Sequence, residues 1–290
     1  MDLQFFYGLF KAASTFVVVF GYVGLLWWVM NRITPFDDHR ELFEKNNVAY
    51  LLQRAGLCSA QVIAMLAVVP DFDLDHPWWS LLWLALEGLW VFIALLATVF
   101  LIDRAFMPKV RNRQMLLEGN RAIGIVEAAS YIGIGFLLNG SLTGSADSVL
   151  LSILSTVVFF ILGLGFVVLV FWIHEWITPY NLRNRLTSGD TAAALELAGV
   201  LLAASIVTRV GVTGDFTTWG EGIMWFLVTA VISIILLYAG RWVTNRLVLK
   251  QHSVREVQKE GKSLTAAAAL QGIIPVLVAF VVASIMENVV

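Results

Sequence analysis

The chain is 290 residues long, 59% hydrophobic and only 14% charged, with a formal net charge of −2 and a mean hydropathy of +0.81. That much apolar surface exceeds what a soluble domain of this size can hide, and the near-neutral charge excludes a general attraction to nucleic acid. Cys58 is the sole cysteine, which excludes an internal disulfide; it lies in an apolar stretch and reads as a small packing residue.

Eight apolar stretches are long enough to cross a bilayer, each needing about 20 residues. In chain order they fall near 5–30, 48–70, 78–102, 121–143, 149–174, 191–212, 220–243 and 264–286. The first does not read as a cleaved signal peptide, because Asp2 stands where a positive region belongs and no small-residue cleavage site follows. The expected fold is therefore all-α: a polytopic membrane protein of eight transmembrane helices.

Lys and Arg set the expected orientation. Loop 31–47 carries Arg32, Arg40 and Lys45; loop 103–120 carries Arg104, Lys109, Arg111 and Arg113. Loop 175–190 carries Arg183 and Arg185, and loop 244–263 carries Arg246, Lys250, Arg255, Lys259 and Lys262. The opposite loops, 71–77, 144–148 and 213–219, carry none. The basic loops are assigned to the cytoplasm and both termini to the outside of a bacterial inner membrane. Tryptophans such as Trp28, Trp78, Trp79, Trp172, Trp176, Trp219 and Trp242 fall at span ends, where interfacial anchors belong.

The chain repeats itself. Ile33-Thr34-Pro35-Phe36 leads into Asn47-Val48-Ala49 and Gln53-Arg54-Ala55-Gly56; Ile177-Thr178-Pro179-Tyr180 leads into Asp190-Thr191-Ala192 and Glu196-Leu197-Ala198-Gly199. This divides the chain into two four-helix units, 1–146 and 147–290. An even number of spans per unit makes the repeats parallel, with an expected pseudo-two-fold along the membrane normal. A finer repeat lies inside each half. The even-numbered spans open alike, with Asn47, Asn120 and Asp190 as N-caps and, more loosely, Leu264-Thr265-Ala266. Small residues follow, among them Gly56, Gly124, Ala128, Gly199 and Gly272, and let helices approach closely in lipid. The Thr-Pro pairs suggest short interfacial helices near 35–45 and 179–187. Thr34 and Thr178 would cap them and Pro35 and Pro179 would occupy the first turn, with Asp37 at capping-box spacing.

The Ile-Thr-Pro segment, the Asn47-Val48-Ala49-Tyr50-Leu51-Leu52 span opening and Arg104-Ala105-Phe106-Met107-Pro108 resemble the bacterial family called domain of unknown function 350. Its YjfL-type members are small inner-membrane proteins of four helices, and two such units are fused here. The second copy departs after Arg241, where Trp242-Val243-Thr244-Asn245 replaces the Phe-Met-Pro pattern. The resemblance implies no activity. It implies an association with envelope-stress proteins related to phage-shock protein A, or with polyamine and peptide-ligation enzymes.

Ionisable and amide side chains inside spans are functional candidates by default, because burying them in lipid is costly. They are Gln53 and Arg54 on span 2, Glu87 on span 3, Glu127 on span 4, Glu196 on span 6 and Gln271 on span 8. All except Glu87 sit six or seven residues into an even span, roughly 10 Å below its start. Two readings stand. They line a path for an ion, a proton or a small polar solute, or they join helices by hydrogen bonds, with Arg54 neutralising one Glu. Glu87 is expected in a structural ion pair, with Lys11 or Arg209 at comparable depth.

No catalytic motif is present, and no cofactor or metal is expected. Asp71-Phe72-Asp73-Leu74-Asp75-His76 fails the calcium-loop template, since His76 replaces the turn glycine and Leu82 the bidentate Glu; it reads as a solvated acidic loop. The four histidines show no ligand spacing on one helix face. The expected partners are the lipid bilayer and a cytoplasmic protein docked on the basic loops, with no nucleic acid and an open oligomeric state. The function expected is a membrane scaffold or anchor for an envelope-stress or membrane-maintenance system; the alternative is a channel or transporter.

Overall fold

A computed structural model describes residues 3–34, 36–69, 73, 75–105, 112–178, 180–243, 246 and 265–287. Ten α-helices run through the described residues: α1 Leu3–Ile33, α2 Val48–Met65, α3 Pro77–Ala105, α4 Asn112–Leu117, α5 Arg121–Leu142, α6 Val149–Ile177, α7 Leu182–Thr187, α8 Thr191–Val212, α9 Trp219–Val243 and α10 Thr265–Glu287. A π-helical turn, Arg40–Glu44, precedes α2. No strand occurs among the described residues. Eight helices are long and apolar enough to cross a membrane, and they coincide with the eight expected stretches.

The spans divide into two kinds. The even-numbered spans α2, α5, α8 and α10 form a row in which each packs on the next, and α5 against α8 joins the two halves. The odd-numbered spans α1, α3, α6 and α9 lie against this row. In α5 and α8, 83% of the most apolar stretch is buried; in α1 the figure is 11%, leaving a surface of Phe, Val and Leu that suits lipid.

Small residues make the row. A Cβ placed on Gly56 would stand 2.5 Å from Ala128 Cα, and one on Gly124 2.5 Å from the Ala49 carbonyl oxygen, so α2 and α5 touch backbone to backbone. The corresponding joint of the second half sets Gly199 against Gly272 and is closer still. At the middle joint Gly133 meets Ser205 and Gly140 meets the Arg209 carbonyl. Where lipid supplies no hydrophobic drive between helices, such close packing holds spans together.

Polar stitches tie both ends of the row. Asn47, Asn120 and Asp190 cap α2, α5 and α8 as expected, accepting from Tyr50, Ile123 and Ala192 N–H groups. The two asparagines also donate sideways: Asn47 Nδ2 to the Leu116 carbonyl at the end of α4, 2.8 Å, and Asn120 Nδ2 to the Leu186 carbonyl in α7, 3.0 Å. Leu264 lies outside the described residues. At the other end Asn139 (α5) donates to the Ile63 carbonyl (α2), and Arg209 (α8) bonds both Asn139 and Glu287 (α10). Beyond it, the loop joining the halves is clasped to the loop after α8. Asp215 accepts from the N–H and Oγ of Ser145, and the N–H of Gly214 reaches the Thr143 carbonyl.

Four expectations are corrected. Thr34 and Thr178 do not cap the helices that follow; they end the helices that precede. Thr34 Oγ1 donates back to the Met30 carbonyl and Thr178 Oγ1 to the Glu175 carbonyl, at 2.6 and 2.9 Å. A residue before proline is pushed out of helical conformation, so the span stops there. Pro35 and Pro179 themselves lie outside the described residues. Asp37 and Asn181 take over the capping, accepting from His39 N–H and Asn184 N–H. The second span ends at Met65 rather than near 70, tightening into a turn through Val68. The short helix α4 lies in a stretch expected to be loop. Finally, a pseudo-two-fold that sets α5 against α8 would also set α10 against α2, and among the described residues no comparable contact exists. The row is open. Its ends carry bulky exposed residues: Leu51 on α2 and Leu66 just after it, Ile273 and Leu277 on α10.

Candidate functional site

The polar side chains singled out within the spans separate into distinct sets. Gln53 and Arg54 are neighbours in sequence, about 100° apart around α2, and they face different partners. Gln53 Nε2 donates to Glu127 Oε2 across the α2–α5 joint at 2.7 Å. Glu127 is 2% exposed, so this bond is made where water cannot compete.

Arg54 turns the other way, toward the end of α1. Its guanidinium meets Asp38 at 3.1 Å and Thr34 Oγ1 at 3.2 Å, its Nε donates to Tyr50 Oη at 3.0 Å, and it lies 4.8 Å above the Tyr50 ring. Tyr50 Oη also donates to Asp38. Arg54 is 1% exposed and Asp38 6%. The expectation that Arg54 neutralises a span glutamate is corrected: its carboxylate comes from the connection after α1. That connection sets Asp38 against Tyr50 and Arg54 of α2 just before it enters the π-helical turn. Breaking such a pair strands a buried charge, which costs about 3–5 kcal/mol.

In the second half, Glu196 is 1% exposed and accepts from Tyr180 Oη at 2.9 Å. Gln271, 5% exposed, lies beside Gly272 on the face of α10 that packs on α8. By position Gln53 corresponds to Glu196 and Glu127 to Gln271, so amide and carboxyl have changed places between the halves. Arg54 corresponds to Leu197, and the second half holds no equivalent of its ion pair there.

Glu87 sits apart, near the opposite end, in the wall of a cavity with Trp83 and Trp90. Of the two partners foreseen for it, Lys11 and Arg209, the second is engaged elsewhere, with Glu287 at 2.9 Å and Asn139 at 2.7 Å. Of the acidic loop, Asp71, Phe72 and Leu74 lie outside the described residues. Asp73 accepts from the Asp75 N–H and pairs with His76 at 2.9 Å. No group of three metal-ligating side chains occurs among the described residues.

Among the basic loops, 248–258 and Phe106–Pro108 lie outside the described residues. The cations that are described are largely engaged nearby. Lys45 pairs with Glu41 at 2.6 Å, Arg183 with Glu175 at 2.9 Å and Arg185 with Asp190 at 2.7 Å. Asp38, Tyr50, Tyr180, Asn139 and Glu287 went unnoticed in the sequence. Only Tyr50 had a local signal, four residues before Arg54 on the same helical face.

A family model described as Domain of Unknown Function (DUF350) matches residues 4–142 and again residues 148–286. A curated relative from Aquifex aeolicus (strain VF5), described as "UPF0719 transmembrane protein", is 22% identical over 249 residues, covering 81% of this chain and 90% of its own length. No solved structure matches significantly.

Proposed function

The chain belongs to the DUF350 family, in two tandem copies, and from that premise we propose that it is a multi-pass scaffold of the bacterial inner membrane rather than a conductor or an enzyme. Its halves enter the bilayer in the same sense, both termini face outside, and the basic side anchors a cytoplasmic partner of an envelope-maintenance system. The observation that carries this reading is the backbone-to-backbone contact along the row at Gly56–Ala128, Gly140–Arg209 and Gly199–Gly272. Helices that touch through their main chains leave no bore between them. The carboxylates nearest the row are occupied as joints, Glu127 by Gln53 and Glu196 by Tyr180. Arg54 is likewise locked to Asp38.

The test is flux of protons and potassium through the full chain in liposomes, with a Glu127→Gln/Glu196→Gln variant beside it. The scaffold reading expects no flux above empty liposomes for either. Flux in the parent that disappears in the variant replaces it with the conducting reading. In cells, deleting 248–258 is expected to release a crosslinked cytoplasmic partner while the protein stays in the membrane.

A further inference from the structure

The odd spans do not close ranks in front of the row. Helix α6 rests on α5 and α8, but it reaches α3 and α9 through rings: Trp90–Phe160, Phe159–Trp219 and Phe166–Phe226, each pair 6.4 Å between centroids. On either side of the first turns of α6 a cavity opens, of about 520 Å³ toward α3 and about 360 Å³ toward α9. They share Gly144, Ser145, Ser152 and Thr156, and both fall in the volume range of ligand sites, about 300–1,000 Å³.

Their chemistry is graded. At the mouth of the smaller cavity stand the Asp215 and Glu221 carboxylates, each steadied by a hydroxyl, from Ser145 at 2.7 Å and from Thr217 at 2.6 Å. Deeper walls are apolar and aromatic, with Phe159 and Trp225. Among the described residues, no Lys or Arg lines either cavity. Trp225 also walls the smaller cavity and Trp90 the larger, each with its indole Nε1 covered by the protein and without an acceptor in it. Carboxylates at a mouth above apolar, aromatic walls match two parts of one molecule: a cationic head and a hydrocarbon chain.

We propose that the seam between α6 and α9 is a lipid seat for a phospholipid with an ammonium headgroup, of the phosphatidylethanolamine class. The ammonium lies between Asp215 and Glu221, the glycerol ester region rests against the Trp225 ring, and the acyl chains leave along the rings toward the bilayer. An anionic headgroup is disfavoured, since it would bring negative charge to two carboxylates with no compensating cation. The seat does not depend on whether the protein scaffolds or conducts.

The test is native mass spectrometry and thermal melting of the full chain in detergent, with phosphatidylethanolamine, phosphatidylglycerol or free ethanolamine added. The parent is expected to retain phosphatidylethanolamine and melt higher with it, and to do neither with the other two. Glu221→Gln, an exposed change that leaves the fold intact, is expected to weaken retention about twofold to fivefold. Thr156→Trp, which fills the space without touching either acid, is expected to weaken it further. Equal retention of phosphatidylglycerol, equal stabilisation by free ethanolamine, or full retention in both variants would overturn the seat.

Discussion

The two halves of the molecule use one joint and two ways of filling the space around it. In the first half, α2 meets α5 at Gly56–Ala128, and the far side of α2 holds a buried ion pair, Arg54 with Asp38, buttressed by Tyr50 and Thr34. In the second half, α8 meets α10 at Gly199–Gly272, and leucine stands where the arginine was. The joint recurs because lipid demands close helix contact everywhere along the row. The ion pair stands in one half only, so a row of this kind can be held with it or without it. The difference teaches that the shared parts are the architecture, and that the first half alone carries a charge-locked link between α1 and α2.

The strongest way to break this comparison is to give the first half the second half's leucine. Arg54→Leu alone leaves Asp38 buried without its cation and is expected to cost about 3–5 kcal/mol. Asp38→Leu/Arg54→Leu removes both charges and is expected to recover most of that loss, since apolar replacements of buried pairs are often neutral or stabilising. Melting of the purified variants in detergent decides it. A double variant as unstable as the single one would mean that the pair matters for more than its own neutrality.

Next in size are the joints themselves. Gly56→Ala and Gly199→Ala each push a methyl group into a neighbouring backbone, which cannot rotate aside. About 1–3 kcal/mol is expected for each, with Gly199 the larger because Gly272 approaches it more closely. The same melting measurement ranks them; the reverse order would show that the first joint is the less forgiving of the two.

The smallest effect sharpens a contrast between two loops. The Ser145 hydroxyl and N–H hold the Asp215 carboxyl below the usual carboxylate range, so that clasp is complete above about pH 4 and is lost as pH falls through the lowered value. In the first half, the His76 hydrogen bond lowers Asp73 and the Asp73 hydrogen bond raises His76. Asp73 makes that contact weaken on acidification. His76 makes it full below its ordinary value, about 6.5, and lost as pH rises through the raised one. Hydrogen exchange of the two loops from pH 3 to 9 is expected to show one edge for the 215 loop and two edges for the 73 loop.

Much of the architecture was legible because its signals are local. Hydropathy marks a span on its own, and Asn47, Asn120 and Asp190 are caps whatever lies around them. The Thr-Pro pairs are ambiguous in sequence because one hydroxyl can serve a helix on either side, and only the direction of the chain at the proline decides. The partners of the buried groups were not legible. Asp38 sits in a polar connection that looks solvated, and nothing nearby says that it folds over α2. Gln53 and Glu127 were noted at similar depth, but facing is a property of two helices and not of either sequence. Symmetry misled in the same way: a repeat implies that the halves are alike, not that the operation relating them closes.

That open row has an arithmetic of its own. A ring of helices must meet itself, so its membership is dictated by the angle at each contact. A row has no such quota. Copying a two-span unit lengthens it by one more joint of the same kind without altering those already made, and the gene alone does the counting. Its ends are dressed differently from its joints, with Leu51 and Leu66 on one flank and Ile273 and Leu277 on the other presenting branched bulk in place of glycine. The outermost helices thus act as selvedges, finishing a woven strip against the lipid.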